Sequence, residues 1–163
     1  MKPADLTTLL QELYRERLAL RMRHVKGAES VSDYEFNNTY QYIVAREDAH
    51  LGWLRRAILD DGGEVPTTHV EMTVPRAGKG SDAQRAIFED DARSAQAFVD
   101  RWQPRLDGFT NARHKGMVRI ILGETLEHKR FFTQALNGRL DLLGRRAPGA
   151  STGGGVMSTR WVE

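Results

Sequence analysis

The chain has 163 residues, of which 40% are apolar and 28% charged, a balance typical of one globular domain. Its formal net charge of +2 gives no reason to expect a strongly basic nucleic-acid-binding protein, and its lack of cysteine excludes disulfides, cysteine nucleophiles and cysteine-bound iron or zinc. No apolar run approaches about 18 residues, and the first residues lack the pattern of a signal peptide. We therefore predict a cytoplasmic protein that neither crosses a membrane nor binds nucleic acid.

The first half of the chain contains two stretches with helical periodicity. Apolar residues recur at steps of three and four over about residues 6–26, and Asp5 or Thr7 is the expected N-cap. The second stretch covers about residues 33–59 and should end at the glycine pair of residues 62–63. Because the connection between the two stretches is short, we expect an antiparallel hairpin.

The second half repeats this arrangement after a long connection. Residues 67–74 alternate between polar and apolar and are interpreted as part of an extended crossover. A third helix is predicted from Ser81, as cap, to about residue 102, and a fourth over about residues 111–143. Residues 1–144 are thus predicted to form one all-α domain, two antiparallel helical hairpins joined by a long crossover. Residues 145–163 form a predicted flexible Gly/Ser-rich tail.

Each predicted helix carries acidic residues in phase with its apolar positions. A buried carboxylate is unfavourable unless it is paired or bound to a metal, and four ionised carboxylates in one core would repel each other. Two metal ions that share bridging carboxylates would remove this repulsion. The candidate metal ligands are Glu16 on the first helix, Glu47 and His50 on the second, Asp91 on the third, and Glu124, Glu127 and His128 on the fourth.

The pattern resembles the ferritin-like superfamily, which includes ferritins, bacterioferritins and rubrerythrin-type di-iron carboxylate proteins. In that family two helices each supply a Glu, and the other two each supply a Glu-x-x-His. Glu47-Asp-Ala-His50 matches the second motif, Glu16 looks like the first-helix ligand, and Asp91 stands where the third helix would have Glu. The fourth helix departs from the pattern. It reads Glu124-Thr-Leu-Glu127-His128, so either Glu127 or His128 is the expected second ligand.

The resemblance implies a ferritin-like four-helix bundle that holds two iron ions, or manganese, and oxidises Fe(II) with O2 or peroxide. One alternative is a di-iron oxygenase that acts on an organic substrate. Another is a metal-free binding or structural protein, in which Arg17, Arg46 or Arg93 would neutralise the carboxylates. We expect a homodimer or a larger homo-oligomer, and the apolar residues near the end of the tail could dock to a partner.

Overall fold

A computed structural model describes residues 3–72 and 80–144 of the chain. This part contains four α-helices, α1 (Pro3–Ser30), α2 (Tyr34–Asp60), α3 (Ser81–Trp102) and α4 (Ala112–Leu136), with a 3-10 helix (Gln103–Gly108) before α4. The described residues include no strand, so the predicted all-α fold with four helices is confirmed. Residues 73–79 of the predicted crossover and the whole predicted tail lie outside the described residues.

Local side-chain bonds explain where two of the helices begin. The Asp33 side chain accepts a hydrogen bond from the Phe36 amide at the start of α2, and Asn111 does the same for Arg113 and His114 at the start of α4. The predicted caps of the other two helices are wrong. α1 already begins at Pro3, whose fixed backbone suits a first turn, and the hydroxyl of Thr7 bonds to Asp61 instead. Ser81 is the first residue of α3, and the cap position is Gly80.

The contacts between helices give their directions. α1 packs along α2, and α3 packs along α4. Arg46 of α2 bonds to Glu124 of α4, and Tyr42 packs on Phe131, so α2 and α4 run in opposite directions. Lys129 of α4 bonds to Gln96 of α3, and Arg85 of α3 bonds to the Leu136 carbonyl, so α3 and α4 are also antiparallel. Because α2 and α3 both run opposite to α4, they point the same way. Residues 61–80 therefore connect the end of α2 to the opposite end of the bundle.

Two apolar clusters fill the interior, one toward each end of the bundle. The first cluster surrounds the fully buried Trp102 and draws on the early part of α1 and the late part of α2. The second cluster surrounds Tyr40, Phe88 and Phe132 at the opposite end. Between these clusters, all four helices contribute buried polar side chains. No helix in the described part of the chain is long and apolar enough to cross a membrane.

Candidate functional site

The candidate site is a layer of polar side chains between the two apolar clusters, which we call the polar layer. Eight of its members are almost completely buried, and the ninth, Glu124, has a side chain that is 23% exposed. The members are Arg17, Arg23, His24, Glu47, His50, Asp91, Glu124, Thr125 and His128. Five of them belong to the predicted ligand set: Glu47 and His50 of α2, Asp91 of α3, and Glu124 and His128 of α4.

Glu47 is held by two side chains of α1. The Nδ1 atom of His24 lies 2.9 Å from both carboxylate oxygens, and Nη2 of Arg17 lies 3.7 Å from Oε1. Burial acts to lower the pKa of His24, but the charge and hydrogen bond of Glu47 raise the pKa above its ordinary value. Glu47 is therefore compensated by the charge of Arg17 and bonded to His24, both on the neighbouring helix.

His50 joins this group to Glu124. Its Nδ1 atom lies 2.9 Å from Nη2 of Arg17, and its Nε2 atom lies 2.6 Å from Oε2 of Glu124. Arginine only donates hydrogen bonds, so Nδ1 must accept and the network assigns the ring proton to Nε2, which donates to Glu124. Burial, followed by the charge of Arg17, lowers the pKa of His50 to about 4. His50 is consequently neutral at pH 7.

Arg46 completes the ion pair at the surface edge of the layer. Its Nε and Nη2 atoms donate to the two oxygens of Glu124 at 3.0 and 2.6 Å, a bidentate arrangement. Burial alone would raise the pKa of Glu124, but the hydrogen bonds from Arg46 and His50 lower it overall. The guanidinium of Arg46 also lies over the ring of Trp53, with its central carbon 5.9 Å from the ring centroid.

Asp91 belongs to a separate pair within the polar layer. Its Oδ1 atom accepts a hydrogen bond from Nε of Arg23 at 2.6 Å, and its Oδ2 atom accepts one from the hydroxyl of Tyr40. Burial and the charge of Asp91 raise the pKa of Tyr40 well above its ordinary value. Both oxygens of Asp91 are therefore engaged by protein donors.

Glu16 and Glu127 lie apart from the other predicted ligands. Glu16 accepts a hydrogen bond from Nε1 of Trp102 at 2.9 Å and pairs with Arg101 at 3.0 Å. The side chain of Glu127 is 34% exposed and, among the described residues, forms an ion pair only with Arg130, at 4.0 Å. At the position where the fourth helix offered two choices, His128 faces the core and Glu127 faces outward.

Several nitrogen atoms of the polar layer have no partner in the described structure. They are Nε2 of His24, both ring nitrogens of His128 and Nε of Arg17. Burial and the nearby charge of Arg17 lower the pKa of His128 well below its ordinary value, so the ring is neutral. A buried polar atom without a partner costs about 1–3 kcal/mol, so this corner of the layer is energetically unfavourable.

The described side chains do not fit a two-metal centre as they lie. Such a centre takes ligands from all four helices, whereas the carboxylates of α1 and α3 bind Trp102, Arg101, Arg23 and Tyr40. Among residues 3–72 and 80–144, no group of three or more His, Asp or Glu side chains is arranged to hold a metal ion. The guanidinium of Arg17 supplies positive charge between Glu47 and His50.

The residues that sequence reasoning missed are mainly cations and their partners: His24, Arg23 and Thr125, with Arg17 considered only as a possible counter-ion. Their spacing did contain a signal. Leu10, Leu13, Arg17, Leu20 and His24 follow each other at steps of three and four along α1.

A comparison of the chain with protein-family models, curated proteins and solved structures gives no match.

Proposed function

We propose that this protein is a metal-free bundle of the ferritin-like kind, which acts by binding other molecules through its surface and not by oxidising Fe(II). The chain forms two helical hairpins, and a long connection joins α2 of the first to α3 of the second. Because α2 and α3 run parallel, this arrangement supports the ferritin-like topology. In this proposal the polar layer is structural, and arginines supply the positive charge that metal ions would otherwise provide.

The observation that carries the proposal is the position of Arg17. Its side chain is completely buried, and it contacts His50 and Thr125 at 2.9 Å and Glu47 at 3.7 Å. A divalent or trivalent ion placed among Glu47, His50 and His128 would lie beside this fixed positive charge. The repulsion in a buried site would oppose metal binding.

A second candidate function is metal-dependent oxidation of Fe(II) by O2 or peroxide. The unpartnered ring nitrogens of His128 favour it, because a neutral imidazole without hydrogen-bond partners is available as a metal ligand. This candidate requires Arg17 to leave its present partners. An oxygenase acting on an organic substrate would need the same metal and therefore depends on the same test.

The test is elemental analysis of the full-length protein, purified without chelators and then incubated with Fe(II) or Mn(II). We expect less than about 0.1 metal ion per chain, because the carboxylates already have protein partners. The variant Arg17→Glu replaces the guanidinium with a carboxylate beside Glu47 and His50. It should gain affinity for one metal ion, and Arg101→Glu, at an exposed position beside Glu16, is the matched control that should not.

One outcome would overturn this proposal, and a second would overturn the role that it gives to Arg17. One or two tightly bound metal ions in the wild type, lost in Glu47→Ala/Glu124→Ala, would establish the second candidate and lead directly to an O2-consumption assay. An Arg17→Glu variant that remains folded by circular dichroism but binds no metal would show that Arg17 is not the obstacle.

A further inference from the structure

An apolar groove runs along the surface between α2 and α4, on the outer side of the bundle. It has a volume of about 500 Å³, and its lining includes Gly52 and Trp53 of α2 with Gly116, Met117 and Ile120 of α4. Ile120 is 52% exposed and Trp53 is 37% exposed. Large apolar side chains at this level of exposure, grouped along one groove, are typical of a contact surface.

The exposed side of α4 beside this groove has a regular composition. Arg113, Gly116, Ile120, Gly123 and Glu127 follow each other at steps of three and four, so they share one face of the helix. A Cβ atom added at Gly116 or Gly123 would meet no atom of the described residues within 4 Å. The face is therefore flat on both sides of a protruding isoleucine.

These glycines are unfavourable for an isolated helix. Glycine in a helix interior costs about 1 kcal/mol relative to alanine, and no atom of residues 3–72 or 80–144 requires its small size here. A second backbone that approaches the helix closely would require it. The glycines thus indicate that something packs against this face.

The charges on the face have a twofold pattern. Arg113 lies seven residues before Ile120, and Glu127 lies seven residues after it. When two copies of α4 lie antiparallel about an axis at Ile120, each Arg113 faces the Glu127 of the other copy, since both stand roughly 10 Å from the axis. Within the described part of the chain, Arg113 has no salt-bridge partner, and Glu127 has only Arg130 at 4.0 Å.

We propose that this face of α4 is the contact surface of a symmetric homodimer. Two α4 helices pack antiparallel with Ile120 at the twofold axis, each isoleucine lies between the glycines of the other helix, and two Arg113–Glu127 ion pairs close the ends. Because Arg113 of one copy faces Glu127 of the other, the charges on this face are complementary to themselves, and a second copy of this chain is the partner that fits it. The proposal does not depend on whether the polar layer binds metal, because Thr125 and His128 of that layer are buried, whereas Arg113 and Ile120 of the face are exposed.

The experiment is sedimentation equilibrium of the full-length protein and of charge-reversal variants. We expect a dimer in the wild type, weakened at least tenfold by Arg113→Glu and by Glu127→Arg, because each change places like charges opposite each other twice. The double variant Arg113→Glu/Glu127→Arg should recover affinity to within about threefold. The matched control is Arg119→Glu on the same helix, whose charge acts on Asp107, and it should leave dimerisation unchanged.

Gly123→Leu separates folding from association. The added side chain has free space in the monomer and improves helix propensity, so the thermal stability of the monomer should be unchanged or higher. The same side chain would keep two α4 helices apart and abolish the dimer. A wild type that stays monomeric at about 100 μM would overturn the proposal, and so would a dimer that is unaffected by both Gly123→Leu and the charge reversals.

Discussion

Arg17 is the residue on which the interior of this protein depends most. It is fully buried and donates from Nη1 to Thr125 and from Nη2 to His50, while its charge compensates Glu47. Burial lowers the pKa of Arg17 and the charges of Glu47 and Glu124 raise it, with burial the larger effect. Arginine has an ordinary pKa far above neutrality, so the side chain keeps its positive charge at pH 7.

Arg17→Met should therefore destabilise the protein by about 3–5 kcal/mol. The change removes the cation while leaving Glu47 and the Nδ1 atom of His50 buried with fewer partners. The free energy of unfolding from urea titration measures the effect. Arg56→Met is the matched control, because this arginine is exposed and its ion pair is with Asp60, one turn away. It should change stability by less than about 0.5 kcal/mol.

The double variant Arg17→Met/Glu47→Gln should lose less free energy of unfolding than the sum of the losses in the two single variants. The double variant removes the carboxylate that Arg17 compensates, so a favourable coupling energy is expected for the pair. Strict additivity of the two losses would contradict the assignment of Arg17 as the counter-ion of Glu47.

The choice between Glu16 and Arg17 shows how much of the site the sequence determines. Both residues fall between Leu13 and Leu20 at steps of three and four, so helical spacing allows either one to face the core. The preference of metals for carboxylates favoured Glu16. In the structure Arg17 is buried because its partners come from α2 and α4. The spacing within α1 cannot show these partners, since they depend on how the helices pack. By contrast, Glu47, His50 and Asp91 were correctly expected to face inward.

At the scale of single helices, α4 shows how local bonds set the ends. Asn111 accepts hydrogen bonds from the amides of Arg113 and His114, at 2.9 and 3.4 Å. These amides have no carbonyl partner within the helix, so the side chain supplies the missing acceptor. The helix ends at Leu136, and Gly138 then adopts a positive φ of 86° that favours glycine.

Asn111→Ala should destabilise the protein by about 1 kcal/mol, because the two amides lose their acceptor. Asn111→Asp is the control, since its carboxylate accepts the same bonds and also interacts favourably with the helix N-terminus. It should stay within a few tenths of a kcal/mol of the wild type. Chemical denaturation at constant pH compares the three proteins, and equal losses in both variants would contradict the capping role.

Most helix boundaries could be predicted, and the exceptions have local causes. α2 and α3 begin and end within about two residues of the expected positions. The prediction extended the fourth helix to residue 143, which is wrong because the apolar pattern continues past Gly138. Leu142 is buried, but it packs on the second apolar cluster from the non-helical segment after α4. The apolar pattern therefore correctly predicted that Leu142 is buried, although α4 ends before it.

At the scale of the whole molecule, the neutral histidines of the polar layer link stability to pH. The pKa of His50 is lowered to about 4 from an ordinary 6.5, and that of His128 is also lowered. Between about pH 6.5 and 4, the unfolded chain binds protons at these positions that the folded protein does not. The stabilisation that comes from keeping His50 neutral is therefore complete above about pH 6.5 and is lost as the pH falls toward 4.

We expect the free energy of unfolding to fall between pH 7 and pH 4.5, with His50 contributing up to about 3 kcal/mol over its full range. The raised pKa of His24 acts at higher pH: its contribution is complete below about 6.5 and declines as the pH rises through its folded value. Urea titrations at four pH values measure the profile. His50→Gln should flatten it on the acid side, and an unchanged slope in that variant would exclude His50 as a source.

The distribution of charge between the two hairpins has a consequence for how they align. Within the polar layer, the α1–α2 hairpin contributes most of the cations, while Asp91 and Glu124 come from the α3–α4 hairpin. If one hairpin slid by a single turn along the other, Asp91 would move about 5.4 Å from Arg23, and Glu124 would move as far from Arg46. The two apolar clusters could repack after such a slip, but Asp91 would be left buried without its counter-ion. We infer that the polar layer selects a single alignment of the hairpins, which apolar packing alone would distinguish only weakly.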